Sequence, residues 1–361
     1  MNIPFHGSYR AEQVTFLLKP IQLAPIADTA VKEALIQSGQ KHYSEMLSPE
    51  YPPSARYLEL FRAACAQNEA RMAADCRQLA ACIAARHHRP PALVSLARAG
   101  TPVGVILRTI LSRYYGAPVT HYSISIIRDR SIDVSALRHI LAHHADTALV
   151  FIDGWTGKGV IARELHRFIA AYNAQAGTNI NSGLYVLADL SGTAACAATT
   201  DDYLIPSALL NATISGLISR SILNEQIAAD DYHGCVYYRD LAPHDLSQTF
   251  ADRISTLADG ELPAAAPANT AQAAITAQNL LADIRARYGI TNDNLIKPGI
   301  GEATRVLLRR HPERLILRDP AAPATAHLVQ LAAEKQAIVE HRPDLPYHAV
   351  ALIRSHRPAN R

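Results

Sequence analysis

Residues 148–160 read ALVFIDGWTGKGV. The apolar run Ala148–Ile152 is short and β-rich, and an acid, Asp153, closes it. A loop of mostly small residues follows, and helical spacing runs from Val160 to Tyr172. A buried strand that passes through such a loop into a helix is one half of a βαβ unit, the building block of parallel sheets. The loop suits a phosphate. Gly154, Gly157 and Gly159 let successive backbone N–H groups converge on an anion, and the helix that follows adds its positive end. The Thr156 hydroxyl can donate to a phosphate oxygen. Asp153 can hold a ribose hydroxyl or a metal-bound water. An ATP-type loop is excluded. With Gly157 and Lys158 as its Gly-Lys pair, that pattern needs Gly where Ile152 stands and Ser or Thr where Gly159 stands.

The same grammar occurs upstream. Residues 92–104, ALVSLARAGTPVG, take a buried strand (Ala92–Leu96) through Ala97, Arg98, Ala99, Gly100 and Thr101 into a helix over Val103–Tyr115. Pro102 suits a first helical turn. The planar fork of Arg98 can grip pyrophosphate oxygens. Between the two motifs, Val119–Ile127 reads as strand, Arg128 and Arg130 sit in a charged turn, and Val134–His144 has helical period. Leu184–Leu187 reads as a further strand. This alternation predicts an α/β fold with a parallel sheet flanked by helices. Ligands of such sheets bind beyond the carboxyl ends of the strands, where both loops lie.

The chain has 361 residues, 49% of them hydrophobic, which is enough for two cores. Residues 259–271 are rich in Pro and Ala without periodicity and read as a linker between residues 1–258 and 272–361. Residues 1–54 carry many prolines and read as an irregular arm that covers something. Ala55–Arg86 is helical, and Pro90 and Pro91 end it. A net charge of +3 does not suggest a nucleic-acid binder as a whole, although a local basic patch fits it. Five Cys without a CxxC pair read as reduced thiols of a cytosolic protein. With neither a leader pattern nor a run of about 18 apolar residues, a cytoplasmic location away from membranes is expected.

Thr156 to Gly159 resembles the T-G-[GK]-T close of the donor loop in type I phosphoribosyltransferases. The resemblance implies that fold, a phosphoribosyl pyrophosphate (PRPP) donor and Mg²⁺. It makes Asp153 a catalytic residue and the metal contact, and it puts Gly154, Trp155, Thr156, Gly157, Lys158 and Gly159 on the substrate. The upstream loop resembles the family's pyrophosphate loop, with Arg98 catalytic and Ala97, Ala99, Gly100 and Thr101 in contact. The segment between them implies a mobile closing loop from which Arg128 reaches the pyrophosphate. This chain departs from the pattern in two ways: its donor loop is about one residue short, and Gly154 stands at the second acidic position.

The resemblance extends further. GSYR (7–10), VTFLL (14–18), DYLIP (202–206) and SGLISRS (215–221) resemble the StiP-type family. That family is associated with bacterial tellurite-resistance and stress operons and with synthesis of a nucleotide-like metabolite, and it carries an older cysteine-protease label. Gly216, Ser219 and Arg220 read either as a second anion site that faces the acceptor base or as a tight structural turn beside the sheet. A thiol protease would draw its nucleophile from Cys196, but no spacing singles out a partner His.

Beyond the linker, a helix over Ala273–Tyr288, strands near Leu315–Leu317 and Ile338–Glu340, and a helix over Leu328–Glu334 predict a small α-β-α sandwich. Residues 297–305, KPGIGEATR, are similar to the RNA-contact motif of Pelota-like and kink-turn-binding proteins. This implies contacts to a structured RNA from Lys297, Gly299, Gly301, Glu302 and Arg305, with Gly301 replacing the family's Asn. The reading is a Mg²⁺-dependent phosphoribosyltransferase-like enzyme of a stress pathway, dimeric by analogy. The alternatives are a catalytically degenerate nucleotide sensor that binds RNA, and a thiol hydrolase.

Overall fold

The computed structural model describes residues 3–310 and 312–354. The larger sheet has six strands: β1 (Thr15–Phe16), β2 (Ala92–Leu96), β3 (Thr120–Ile124), β4 (Leu149–Thr156), β5 (Leu184–Asp189) and β6 (Cys196–Thr199). They lie in the order β1-β3-β2-β4-β5-β6, and every pairing is parallel. Helices cover both faces, as a parallel sheet requires. Six precede the C-terminal region: α1 (Thr29–Gln37), α2 (Ala55–Arg86), α3 (Gly100–Tyr115), α4 (Val134–Leu141), α5 (Val160–Ala176) and α6 (Ser247–Leu257). On one face Leu93, Val150, Ile152 and Leu187 meet α2, α3 and α6 through Met72, Leu79, Ile106 and Ile254. On the other Val94, Phe151 and Val186 meet α4 and α5 through Leu137, Ile140, Leu165 and Ile169.

Three expectations change. The arm is not wholly irregular: Thr15 and Phe16 pair with Tyr122 and Ser123 as an edge strand, so part of the arm belongs to the sheet. The strand through Ile152 does not stop at Asp153. It runs to Thr156 because Asp153, Trp155 and Thr156 find partners in Val186, Ala188 and Asp189 of β5, which leaves only Gly157–Gly159 as the loop. The segment expected to be a mobile loop is a tight hairpin, Ile126–Ile127 against Ser131–Ile132. It is pinned where Arg128 N–H donates to the Tyr43 hydroxyl and Asp129 N–H to Glu164.

The C-terminal domain is an α-β-α sandwich. Its strands are β7 (Ile296–Pro298), β8 (Pro312–Leu317), β9 (Ile338–His341) and β10 (Ala349–Ile353), ordered β7-β10-β8-β9. The helix α7 (Thr270–Tyr288) packs Leu280 and Ile284 on Ile296, Ile316 and Val350. On the opposite face α8 (Ile300–Arg309) and α9 (Ala326–Glu334) pack Leu307, Leu328 and Leu331 on Leu315 and Leu317. The linker lies along the larger domain: Ala268 N–H donates to the Ala197 carbonyl, and Gln78 reaches the Ala264 carbonyl.

The two domains dock through a shared apolar core and several polar contacts, among them one buried carboxylate. Leu190, just past β5, is 5% exposed and joins the C-terminal core beside Ile284 and Ile296. The Tyr347 hydroxyl donates to its carbonyl at 2.5 Å. A helix leaves its first N–H groups without internal partners, and the residue before α8, Gly299, has no side chain to accept them. A Cβ at Gly299 would meet Leu190 and Asp202, and its φ is 90°, so only glycine fits. Asp202 supplies the cap from the other domain. Its two oxygens accept the N–H groups of Ile300 at 2.8 Å and His348 at 2.9 Å. Asp202→Ala strands both donors, at about 1–3 kcal/mol each. We expect the variant to unfold in two transitions rather than one, and to be cut faster by protease in residues 259–269. Unchanged proteolysis and a single transition would show that the docking holds without this cap.

Candidate ligand-binding site

The two sequence motifs meet because β2 and β4 are neighbours. Gly100 opens α3 directly against the end of β4, and a Cβ there would lie 2.5 Å from the Ile152 carbonyl oxygen. Arg98, in the bend after β2, is held in place. Its guanidinium donates to Asn211 Oδ1 at 2.7 Å, to Glu50 at 3.3 Å and to the Ile218 carbonyl at 3.4 Å. Glu50 comes from the arm, so the arm's carboxylate sits where an anion would meet Arg98.

Asp153 is half-buried on β4, three residues before the strand ends at Thr156. Its Oδ1 accepts Gly154 N–H at 2.8 Å, and Oδ2 has no hydrogen-bond partner among the described residues. Burial pushes its carboxyl up to about 7, against the pull of the Gly154 N–H and of nearby Arg305. Thr156 does not offer its hydroxyl outward. That hydroxyl accepts Gly159 N–H at 2.9 Å and lies 3.3 Å from Ser191 Oγ, holding the loop's shape. Lys158 donates to the Asp293 carbonyl of the C-terminal domain, and burial, with Lys297 and Arg128 beside it, lowers its ammonium to about 8.

Ser219 and Arg220 are placed differently from the substrate contacts expected of them. Ser219 Oγ accepts Val236 N–H and donates to the Arg220 carbonyl, 1% exposed. Arg220 donates to the Tyr43 and Met46 carbonyls at 2.7 and 2.6 Å, clamping the arm. Burial, with Arg98 and Arg310 nearby, lowers it to about 10.

The RNA-like motif is half-buried against the larger domain. Arg305 lies over the Trp155 ring, 4.7 Å from its centroid, and Gly301 abuts the same indole. A Cβ at Gly157 would come within 3.2 Å of the Pro298 carbonyl oxygen. Glu302 is enclosed by both domains yet keeps 26% of its side-chain surface, as a group on the floor of a cleft does. Burial works to raise its carboxyl, but Arg305, Lys297, the Trp155 indole and Lys158 outweigh it and hold it below the ordinary value. At the helix end expected to attract an RNA phosphate, Asp202 is already bound. The motif therefore belongs to an interface within the chain.

Nothing in the sequence signals a polar cleft of about 450 Å³ beside Asp201 and Asp202, lined by Arg71, Gln272, Arg318 and His348. It opens between elements that only the docking brings together.

All five cysteines are buried: Cys65 at 9%, Cys82 at 3%, Cys196 at 1%, Cys76 and Cys235 at 0%. Cys196 sits on β6 with its thiol against Cys82, whose hydrogen bond, together with burial, pushes it up. No cysteine is hydrogen-bonded to a His among the described residues. The described residues also contain no group of three or more His, Cys, Asp or Glu that could cage a metal, and no helix long and apolar enough to cross a membrane.

The architecture defines an α/β domain built on a six-stranded parallel sheet, with a docked α-β-α sandwich. The chain belongs to the StiP family. Residues 7–255 match the family model described as tellurite-like stress resistance cysteine protease StiP, and residues 275–355 match the PELOTA RNA binding domain. It is 44% identical over 365 residues to the Cysteine protease StiP of Acinetobacter baylyi (strain ATCC 33305 / BD413 / ADP1), covering 97% of this chain and 94% of that protein. Among solved structures it is similar to the HGPRT-ase of Leishmania tarentolae in complex with GMP, at 18% identity and a TM-score of 0.24. That match covers 38% of this chain and 73% of that one.

Two outcomes check this geometry. Gly100→Ala overpacks the β2–β4 junction, at about 1–3 kcal/mol, and we expect a lowered melting temperature in a thermal shift assay. Iodoacetamide should leave all five thiols of the native protein unmodified by mass spectrometry and label all five in denaturant. Rapid labelling of native Cys196 would instead revive a thiol-dependent activity.

Proposed function

We propose that the chain is a phosphoribosyltransferase-like enzyme that takes a ribosyl pyrophosphate donor with Mg²⁺ at the carboxyl ends of β2 and β4. One observation carries the reading: Asp153, one carboxylate oxygen of which has no hydrogen-bond partner among the described residues, stands on β4 ahead of the loop that carries Lys158, with Arg128 beside that lysine, and the neighbouring strand β2 runs into Arg98. In this reading the 157–159 loop and the start of α5 hold the 5′-phosphate. Asp153 takes a ribose hydroxyl. Arg98 leaves Glu50 to stabilise the departing pyrophosphate, where charge develops as the glycosidic bond breaks.

The residues fit a Mg²⁺ ion carried by the ligand rather than caged by the protein. Such an ion keeps waters and phosphate oxygens and needs only one or two carboxylates, and the free oxygen of Asp153 is one. Bound, it would neutralise part of the leaving pyrophosphate's charge. The buried thiols speak against proteolysis by a cysteine nucleophile, whose sulfur must reach its substrate. Gly154, in place of a second acid, favours the nucleotide sensor as the second reading.

Calorimetry with PRPP and Mg²⁺ tests the proposal. We expect Mg²⁺-dependent binding that Asp153→Asn and Arg98→Ala each weaken by about tenfold or more, the loss of one charge-assisted contact. Wild-type binding without turnover on any nucleobase would leave the sensor reading standing, and no binding would end both. A pH series gives a further check. Lys158 loses its charge as pH rises through about 8, so the free protein must take up a proton to bind an anion above that value. Affinity should therefore decline from pH 7 to pH 9, and less so in Lys158→Gln.

A further inference from the structure

We propose that the C-terminal domain completes the ligand site. Lys297, reaching in from β7, joins Lys158 of the phosphate loop and Arg128 of the 126–132 hairpin in one anion pocket that holds a phosphate of the small-molecule ligand at the domain interface. The inference deepens the donor reading and rests on it.

Three elements far apart in sequence bring these cations together. Two of them are anchored on the C-terminal domain's own backbone and side chains: Lys158 donates to the Asp293 carbonyl, and Arg128 Nη1 to Asn294 Oδ1 at 3.1 Å. Lys297 is half-buried, and no hydrogen bond or ion pair holds its ammonium among the described residues. Burial lowers its affinity for a proton, and the nearby charges of Arg310, Arg128 and Arg305 lower it further, against Glu302.

The local carboxylates do not balance this charge. Asp129 neutralises Arg128 at 2.9 Å, which leaves Lys158, Lys297 and Arg305 to be balanced. The Asp293 side chain is taken by Arg285 at 2.6 and 2.5 Å. Glu302 alone is shared among Arg305 at 3.5 Å, Lys297 and Lys158. Like charges converging in a half-buried place oppose docking. The docking persists through Leu190, Tyr347 and the Asp202 cap, which lie to one side of the cluster. An excess of cations held together by other means is a site made for a polyanion.

The surroundings favour a small ligand over RNA. The phosphate loop touches β7, Trp155 covers Arg305, and Asp202 fills the α8 terminus. A phosphate on a small molecule can reach cations seated between packed elements, whereas a helical backbone needs an open face.

The test is calorimetric titration of the full chain with inorganic pyrophosphate and Mg²⁺, comparing wild type, Lys297→Gln and Lys297→Arg, with Asp153→Asn and Arg98→Ala in parallel. We expect Lys297→Gln to weaken binding by about tenfold or more, the loss of one charge-assisted contact, and Lys297→Arg to restore most of it. Unchanged melting temperatures would establish that the variants are folded. If Lys297→Gln binds like wild type while Arg98→Ala does not, the inference is overturned and the donor reading survives. If the wild type binds neither pyrophosphate nor PRPP, both fall. If Lys297→Arg is as weak as Lys297→Gln, the side chain acts through packing, and the anion pocket is overturned.

Discussion

The carboxylate of Asp202 caps a helix that belongs to another domain, and the arrangement of the site follows from that contact. The helix α8 begins after a glycine that cannot cap it, so its first N–H must be satisfied from outside or remain exposed to water. Asp202 satisfies it and, with its other oxygen, holds His348. A charged acceptor at a helix N-terminus also gains from the helix dipole. The cost is burial of the carboxylate, which pushes its proton affinity up to about 6. The two N–H bonds offset this only in part, and the rest of the docking comes from Leu190, from the shared apolar core along α8 and from polar contacts such as that of Tyr57 to the Leu308 carbonyl. The result fixes residues 297–305 against the end of β4.

That placement changes what the Pelota-like motif can do. In isolation, a glycine-led helix terminus with Lys297 and Arg305 beside it would attract a nucleic-acid phosphate. Here the terminus is filled by Asp202 and Arg305 stacks on Trp155. The same residues that look like an RNA surface pack against the end of β4 and the 157–159 loop. The arm closes the other side: Glu50 holds Arg98, while Arg220 clamps Tyr43 and Met46. A donor entering this site would exchange with Glu50 for Arg98, so the arm and the ligand compete for one guanidinium.

What the sequence made legible was local. The strand–loop–helix units around Arg98 and Gly157 show in a dozen residues each, because apolar run, glycine loop and helical period are adjacent in the chain. The sandwich after the linker was legible for the same reason. What it hid depends on distant pairing. Asp153 and Trp155 look like loop residues until β5 offers them a ladder. Thr15 and Phe16 look like arm until β3 does the same. Asp202 lies 98 residues before Ile300, and nothing in either segment marks the other. Thr156 suits a phosphate because its hydroxyl stands beside a glycine loop, and Ser219, in the SGLISRS stretch, reads as facing an acceptor base. In the fold their hydroxyls serve backbone N–H groups instead, as such residues often do in turns.

The central claim is that one ligand engages both domains at once, and amide hydrogen exchange in the presence and absence of PRPP with Mg²⁺ tests it most directly. The account predicts slower exchange on ligand addition both in the phosphate loop, at residues 157–159, and in the C-terminal segment 296–304. Protection confined to the larger domain, with the C-terminal segment unchanged or faster, would contradict it.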